Sequence, residues 1–181
     1  ISDGPSLLFL HFDHREVGSE PMGYMIENHN LRRAQYECLK SARGLKVFSP
    51  ERLKCLDHSI YGVEVEMESG LRIKSRLVVG ADGRRSAVRG SVGISVTKWN
   101  YEQSGIVCTV SHERHHKHVA HERFLPSGPF AILPLKGDPR GAGNRSSLVW
   151  TERKDLTPTI MNLDSEAFLG EIHERFGKFL G

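Results

Sequence analysis

The sequence has 181 residues, with 25 basic and 22 acidic side chains, a formal net charge of +3 and 38% hydrophobic residues. This length suits about one domain, and the recurrence of apolar residues along the sequence excludes a chain that is disordered throughout. No run approaches the ~18 apolar residues that a membrane span needs, and the net charge is too small to indicate nucleic-acid binding. The three cysteines are widely spaced, which predicts neither a zinc ribbon nor a disulfide framework and favours a reducing compartment.

The first part of the chain is predicted to contain short strands and one helix. Short apolar runs indicate four strands, at residues 6–12, 23–27, 46–48 and 53–56. A helix is predicted over residues 31–42, with Asn30 as its N-cap and Gly44 at its end.

The clearest alternation of apolar and charged residues surrounds Gly70 and predicts a β-hairpin. A two-residue turn would place charged Arg72 opposite Met67. A three-residue loop that ends at Gly70 instead places Ile73 opposite Val65, and glycine tolerates the left-handed conformation that such a loop needs. We therefore predict the three-residue loop.

A continuous apolar run at residues 77–79 predicts a strand buried on both faces, followed by a glycine-bearing turn and a short helix at about 86–92. Such a strand–turn–helix unit is the usual place for a nucleotide cofactor. In the turn, Asp82 can accept hydrogen bonds from ribose or ribityl hydroxyls, and nearby arginines can contact phosphates. Alternatively, Asp82 merely caps the helix and the arginines are solvated. Spacing alone favours neither interpretation.

The remaining sequence is predicted to be rich in strands and to end in a helix. Strands are predicted at residues 105–111, 119–125, 130–135 and 146–151, the second and third forming a hairpin, with a glycine-rich connector at 137–144. Asp164 or Ser165 caps a helix that runs to about Phe179 and packs its apolar face on the core.

A histidine-rich segment matches the zinc-protease pattern H-E-x-x-H, with His112 and His116 as ligands and Glu113 as general base. That chemistry needs both histidines on one helical face. An alternating strand runs into the segment, which is polar all round, so we favour a solvated loop over a zinc hydrolase.

Several stretches resemble the single-component flavoprotein monooxygenases. Residues 78–89 look like their Asp-Gly fingerprint, in which Asp-Gly is followed by a serine and then an arginine at this spacing. Residues 23–34 resemble one branch, the ubiquinone-biosynthesis hydroxylases, which commonly has asparagine at the position of Asn28, where related enzymes carry arginine near the flavin pyrophosphate. Further segments are similar to that branch: residues 101–103, 108–110, 122–126, 128–135 and 147–152.

The resemblance implies an α/β (mixed α+β) fold. Part of a Rossmann-like FAD-binding domain would cover residues 20–95, and a mixed β-sheet substrate-binding domain would comprise residues 1–19 and 96–181. It implies an FAD-dependent monooxygenase that uses NAD(P)H and dioxygen to hydroxylate the ring of a polyprenylated phenol in ubiquinone biosynthesis. Asp82 and Gly83 would contact the flavin, with Asn28 as a further candidate, and Arg89 would be structural or would help to bind NAD(P)H. No catalytic acid or base can be named.

The sequence also departs from that family. Family members open with a Gly-x-Gly-x-x-Gly loop and carry a late Gly-Asp motif that closes over the flavin; the sequence contains neither, since Gly137-Asp138 lies in the connector. The sequence thus resembles the middle of such an enzyme, and we expect the isolated chain to be inactive and not to retain FAD. A non-enzymatic module without a cofactor is the alternative. The expected location is the cytoplasm, either free or peripheral at the inner membrane or in a ubiquinone-biosynthesis complex.

Overall fold

The computed structural model describes residues 1–4, 6–137 and 144–181. The chain divides into two units. Unit 1 combines Ile1–Cys38 with Tyr101–Gly181, and unit 2 is Leu39–Asn100. The predicted connector at 137–144 falls largely outside the described residues. None of the helices in the described ranges has the length and apolarity that a membrane span requires.

Unit 1 contains a five-stranded sheet with the strand order β1-β6-β7-β8-β5. Its strands are β1 (Ser2–Asp3), β5 (Gln103–His112), β6 (His121–Leu125), β7 (Gly128–Leu135) and β8 (Asn144–Arg153). All neighbours are antiparallel except β1 and β6, which run parallel. The four strands predicted beyond residue 100 are therefore confirmed. The β6–β7 turn is tighter than expected, because Leu125 pairs with Gly128.

The core of unit 1 lies between one face of this sheet and the helices that follow β8. These are α3 (Thr157–Met161) and α4 (Ser165–Phe176). Phe130, Leu148 and Trp150 are fully buried on the sheet, and they share the core with Ile172 and Phe176 of α4. Alternate strand residues point to the same face, so the period-two pattern of β7 and β8 produces this layer. The predicted packing of the C-terminal helix is confirmed.

The ends of α4 refine the prediction. The Asp164 side chain accepts a hydrogen bond from the Ala167 amide, so Asp164, not Ser165, is the N-cap. The helix ends at Phe176 because Gly177 follows with φ 87°, the left-handed conformation that commonly ends helices. Phe179 therefore lies beyond the helix.

Unit 2 contains a three-stranded antiparallel sheet of β2 (Leu53–Ser59), β3 (Gly62–Met67) and β4 (Arg72–Ser75). Val65 pairs with Ile73, and Gly70 has φ 87°. This confirms the predicted register and loop. A short helix, α2 (Ala87–Ser91), follows near the predicted position, with Ser86 as its N-cap.

Four predicted strands are wrong: residues 6–12, 23–27, 46–48 and 77–79 form no strand. Within the first of these, Phe9 forms only an isolated bridge with Ser2. Apolar composition favours strands, but a strand also needs a neighbour to take up its backbone hydrogen bonds. Apart from that single bridge to β1, none of the described strands pairs with these four segments, and Leu77 and Val79 remain 74% and 77% exposed.

The N-terminal helix also starts earlier than predicted. Helix α1 spans Asn28–Ser41, so Asn30 lies inside it and is not its N-cap. The carbonyl of Glu27 accepts hydrogen bonds from the amides of Asn30 and Leu31, at 3.0 and 3.2 Å. Glu27 is thus the residue from which the helix begins. Gly44 follows the helix with φ 75°, as expected.

Candidate functional site

The turn before α2 carries the Asp-Gly motif, and its backbone depends on two glycines. Gly83 has φ 81°, where any other residue would be strained. Gly80 is needed for space: a Cβ at this position would lie 3.0 Å from both Cβ and Cγ1 of Val88. The glycines of this turn were evident in the sequence, but the close approach to α2 that Gly80 allows was not predicted.

Asp82 holds the turn against the start of α2. Its Oδ2 atom accepts hydrogen bonds from the amides of Ala87 and Val88, at 2.7 and 3.2 Å. Hydrogen bonding by the Ser86 hydroxyl, followed by the Val88 amide, lowers the pKa of Asp82 below its usual value of 3.8. Asp82 is therefore a carboxylate at neutral pH. The structure shows the capping contact that the sequence left open as one of two interpretations.

The same carboxylate also suits a flavin. An ionised carboxylate has roughly four lone-pair sites on two oxygens; the two amides share Oδ2 and the Ser86 hydroxyl takes a further site, so acceptor capacity remains. Asp82 is exposed, and a ribityl chain carries hydroxyl donors. The donor and acceptor chemistry therefore fits, and capping does not prevent flavin contact.

Arg89 contacts the turn itself. Its Nη2 atom donates to the carbonyl of Arg84 at 3.0 Å, and its amide donates to the Ser86 hydroxyl at 3.0 Å. Both contacts fix the loop between Asp82 and α2. Asn28, by contrast, is the exposed first residue of α1 and belongs to unit 1, whereas Asp82, Gly83 and Arg89 lie together in unit 2.

The H-E-x-x-H segment is not helical. His112 is the last residue of β5 and His116 lies in the loop after it, where Lys117 and His118 have positive φ. His112 Nδ1 lies 2.7 Å from the Arg114 carbonyl and its Nε2 lies 2.9 Å from the Ser146 hydroxyl. The described residues include no group of three or more His, Cys, Asp or Glu side chains placed to hold a metal. The zinc-hydrolase alternative therefore lacks the helix that it requires.

His116 is buried and engaged at both ring nitrogens. Nε2 donates to the Leu135 carbonyl at 3.0 Å, and Nδ1 accepts from the His118 amide at 3.0 Å. Burial, together with the nearby rings of His115, His118 and His112, lowers the pKa of His116 below 6.5. His116 is thus a neutral group that holds its loop to β7.

The second face of the five-stranded sheet, opposite α4, is a surface that was not predicted from the sequence. We call it the outer face. Three cross-strand pairs of β5 and β8 lie on it: Gly105 with Thr151, Val107 with Val149, and Thr109 with Ser147. Val107 is 67% exposed. This part of the face offers small apolar and hydroxyl side chains without a formal charge. The alternation in β5 and β8 was the signal that could have revealed it.

Comparisons with known proteins identify the family of this chain. A model described as "FAD binding domain" matches residues 17–151, which include α1, the Asp-Gly turn and the strands from β2 through most of β8. The chain belongs to the FAD binding domain family. The flavoprotein fold that the resemblance implies is therefore confirmed.

Relatives of this FAD binding domain protein include several enzymes named for ubiquinone biosynthesis. Ubiquinone hydroxylase UbiL of Rhodospirillum rubrum is 48% identical over all of this chain and 41% of its own length. The mitochondrial ubiquinone biosynthesis monooxygenase COQ6 of Homo sapiens is 32% identical over 87% of this chain and 34% of its own. The 3-demethoxyubiquinol 3-hydroxylase of Escherichia coli is 32% identical over 94% of this chain and 42% of its own. The chain thus spans about two fifths, or somewhat less, of the relatives that it matches.

Proposed function

We propose that the protein containing this chain is an FAD-dependent monooxygenase that hydroxylates the ring of a polyprenylated phenol in ubiquinone biosynthesis, using NAD(P)H and dioxygen. The observation that carries the proposal is an ionised, exposed Asp82 fixed in an Asp-Gly turn, within a chain that belongs to the FAD binding domain family. The names of its relatives support the substrate class.

In this proposal the chain binds and orients, and the redox chemistry with NAD(P)H and dioxygen comes from bound FAD. Asp82 accepts hydrogen bonds from flavin hydroxyls while it keeps its contacts with the α2 amides. Gly83 allows the backbone of the turn to approach the flavin closely. Arg89 holds the loop through the Arg84 carbonyl. Asn28 contacts the pyrophosphate, a role that rests on the resemblance.

The outer face suits a polyprenylated phenol. Val107 and Val149 pair across β5 and β8 and give an apolar surface, which stabilises the ring and the chain by burying them away from water. Hydroxyl groups on the same face, such as those of Thr109 and Thr151, can hydrogen-bond a phenol oxygen.

We accordingly assign residues 1–19 and 96–181 to the substrate-binding part and residues 20–95 to the FAD-binding part.

The substrate class also bears on location. A polyprenylated phenol partitions into a bilayer because its chain is apolar. We therefore propose that the protein works in the cytoplasm, at the periphery of the inner membrane or within a complex of ubiquinone-biosynthesis enzymes. Co-sedimentation with vesicles that contain the phenol tests this placement, and equal binding to vesicles without the phenol would contradict recruitment by the substrate.

The test of the function uses the full-length protein, purified and denatured to release its flavin, whose fluorescence is measured per mole of chain. We expect stoichiometric FAD, oxidation of NAD(P)H that depends on the phenol, and a hydroxylated product. A folded protein without flavin, or one that leaves the phenol unchanged, would contradict the proposal.

Substitution at Asp82 tests the role of the turn. Asp82→Asn keeps an acceptor for the amides of Ala87 and Val88 but removes the charge, so we expect the fold to remain and FAD affinity to fall about tenfold, as for a lost charge-assisted hydrogen bond. Asp57→Asn, an exposed carboxylate on β2 of the same unit, is the matched control and should leave FAD affinity unchanged. Equal affinities in both variants would exclude Asp82 from the site.

A further inference from the structure

An ion pair joins two residues that are 118 positions apart in unit 1. Arg145 Nη2 donates to Glu27 Oε1 at 2.7 Å, and Nη1 donates to Oε2 at 3.2 Å. The two side chains are only 20% and 22% exposed. A two-pronged guanidinium–carboxylate contact fixes orientation as well as distance, and a lysine cannot reproduce it.

Glu27 occupies the position from which α1 begins. Its carbonyl accepts the amides of Asn30 and Leu31 in the first helical turn, and Asn28 is the next residue along the chain. The segment 23–27 that leads into the helix lies in none of the described strands. A side-chain tether at Glu27 therefore fixes backbone that no strand ladder holds.

Arg145 lies on the outer face of the sheet. It pairs with Ser111 on β5 and with Leu135 on β7, and it is two residues from Ser147 on the same strand face. The ion pair thus connects the start of α1 to the face that we assign to the substrate.

We propose that Arg145 is a positioning residue, which holds Glu27 and thereby fixes where the start of α1 presents Asn28. This inference rests on the proposed function, because it gives Asn28 a flavin to contact. Neither Arg145 nor Glu27 needs to touch the cofactor. Their effect passes through the backbone of residues 27 and 28.

The experiment measures FAD affinity, kcat and KM in the full-length protein carrying Arg145→Met, Arg145→Lys or the exchange of both residues, Glu27→Arg with Arg145→Glu. Arg153→Met is the matched control, since Arg153 lies on the same strand but pairs with exposed Asp155. We expect Arg145→Met to weaken FAD binding about tenfold. Arg145→Lys should weaken it less than Arg145→Met does, and the exchanged pair should weaken it least. Arg153→Met should bind FAD as the unchanged protein does.

A double-mutant cycle with Asn28→Ala separates positioning from general stability. If Arg145 acts through Asn28, then Arg145→Met should weaken FAD binding little further once Asn28 has been replaced. Amide hydrogen exchange at Asn30 and Leu31 gives a readout without flavin, and it should become faster in Arg145→Met and not in Arg153→Met.

The outcomes distinguish the two proposals. Stoichiometric FAD in the unchanged protein, with full affinity in Arg145→Met, overturns the positioning role and leaves the proposed function standing. Additive losses in the cycle, or unchanged exchange at the first turn of α1, overturn it as well. An unchanged protein that binds no FAD overturns both proposals.

Discussion

Replacing Gly80 by alanine adds one methyl group to the Asp-Gly turn at its closest approach to α2. The new Cβ would lie 3.0 Å from Cβ and Cγ1 of Val88, whereas carbon atoms pack best at about 3.5–4.0 Å. Gly80 lies outside the left-handed region, so alanine meets no backbone strain there. The cost therefore comes from the collision alone.

The geometry sets the size of the effect. Overpacking a closed core costs about 1–3 kcal/mol, but Val88 is half-buried on a helix of only five residues and can shift. We therefore expect the low end of that range. Because the Val88 amide donates to Asp82, the shift reaches the carboxylate, and about 1 kcal/mol corresponds to a roughly fivefold loss of FAD affinity.

The assay is FAD titration of the full-length protein carrying Gly80→Ala, Val88→Ala or both. Val88→Ala alone should change affinity little, and the double variant should return close to the starting value because the shorter side chain leaves room for the methyl group. Gly90→Ala is the matched control, since a Cβ there meets no atom within 4 Å. Independent, additive effects of Gly80→Ala and Val88→Ala would refute the steric reasoning.

Three further predictions concern stability. Phe176→Ala should lower the free energy of unfolding by about 3–5 kcal/mol, since Phe176 is buried; a comparable loss in Phe179→Ala, at a partly exposed ring outside the helix, would contradict this difference. The free energy of unfolding should fall as the pH is lowered from about 7.5 through 6.5. The reason is that the pKa of His116 is lower in the folded chain than in the unfolded chain, so the unfolded chain takes up the proton first. Chemical denaturation should therefore show a smaller pH dependence in His116→Gln than in His115→Gln. Gly70→Ala should destabilise the β3–β4 hairpin by about 1–2 kcal/mol, because residue 70 has a left-handed φ of 87°. Hydrogen exchange of the strand amides measures this loss, and exchange as slow as in the unchanged protein would refute the prediction.

Local pattern and turn chemistry predicted the hairpin around Gly70 because the information lies within a few neighbouring residues. Val65 and Ile73 had to share a face, and only one loop length allowed it. The run at residues 77–79 gave the opposite result. Its composition suits a buried strand, but whether a strand forms depends on a neighbour that the run itself does not specify.

In the candidate site, too, local contacts could be predicted from the sequence and long-range contacts could not. The position of Asp82 in a turn before a short helix followed from the sequence, and the structure shows which atoms it contacts. The pairing of Glu27 with Arg145 could not be predicted, because no local pattern indicates which of many charged side chains will meet across 118 residues. Long-range electrostatic contacts need the fold first.

The two units differ in how their strands are distributed along the chain, and this has a consequence for biosynthesis. In unit 2, β2 pairs with β3 and β3 with β4, each the next strand along the chain. In unit 1, Ser2 pairs with Arg123 and lacks this partner until that residue has been synthesised. Since a nascent chain leaves the ribosome from its N-terminus, unit 2 can close while β1 still lacks its neighbour. During that interval the apolar side chains of Leu7, Leu8 and Phe9, which are exposed in this chain, are available to other nascent chains or to a chaperone. The time between the synthesis of β1 and that of β6 is therefore a stage at which this segment is open to aggregation.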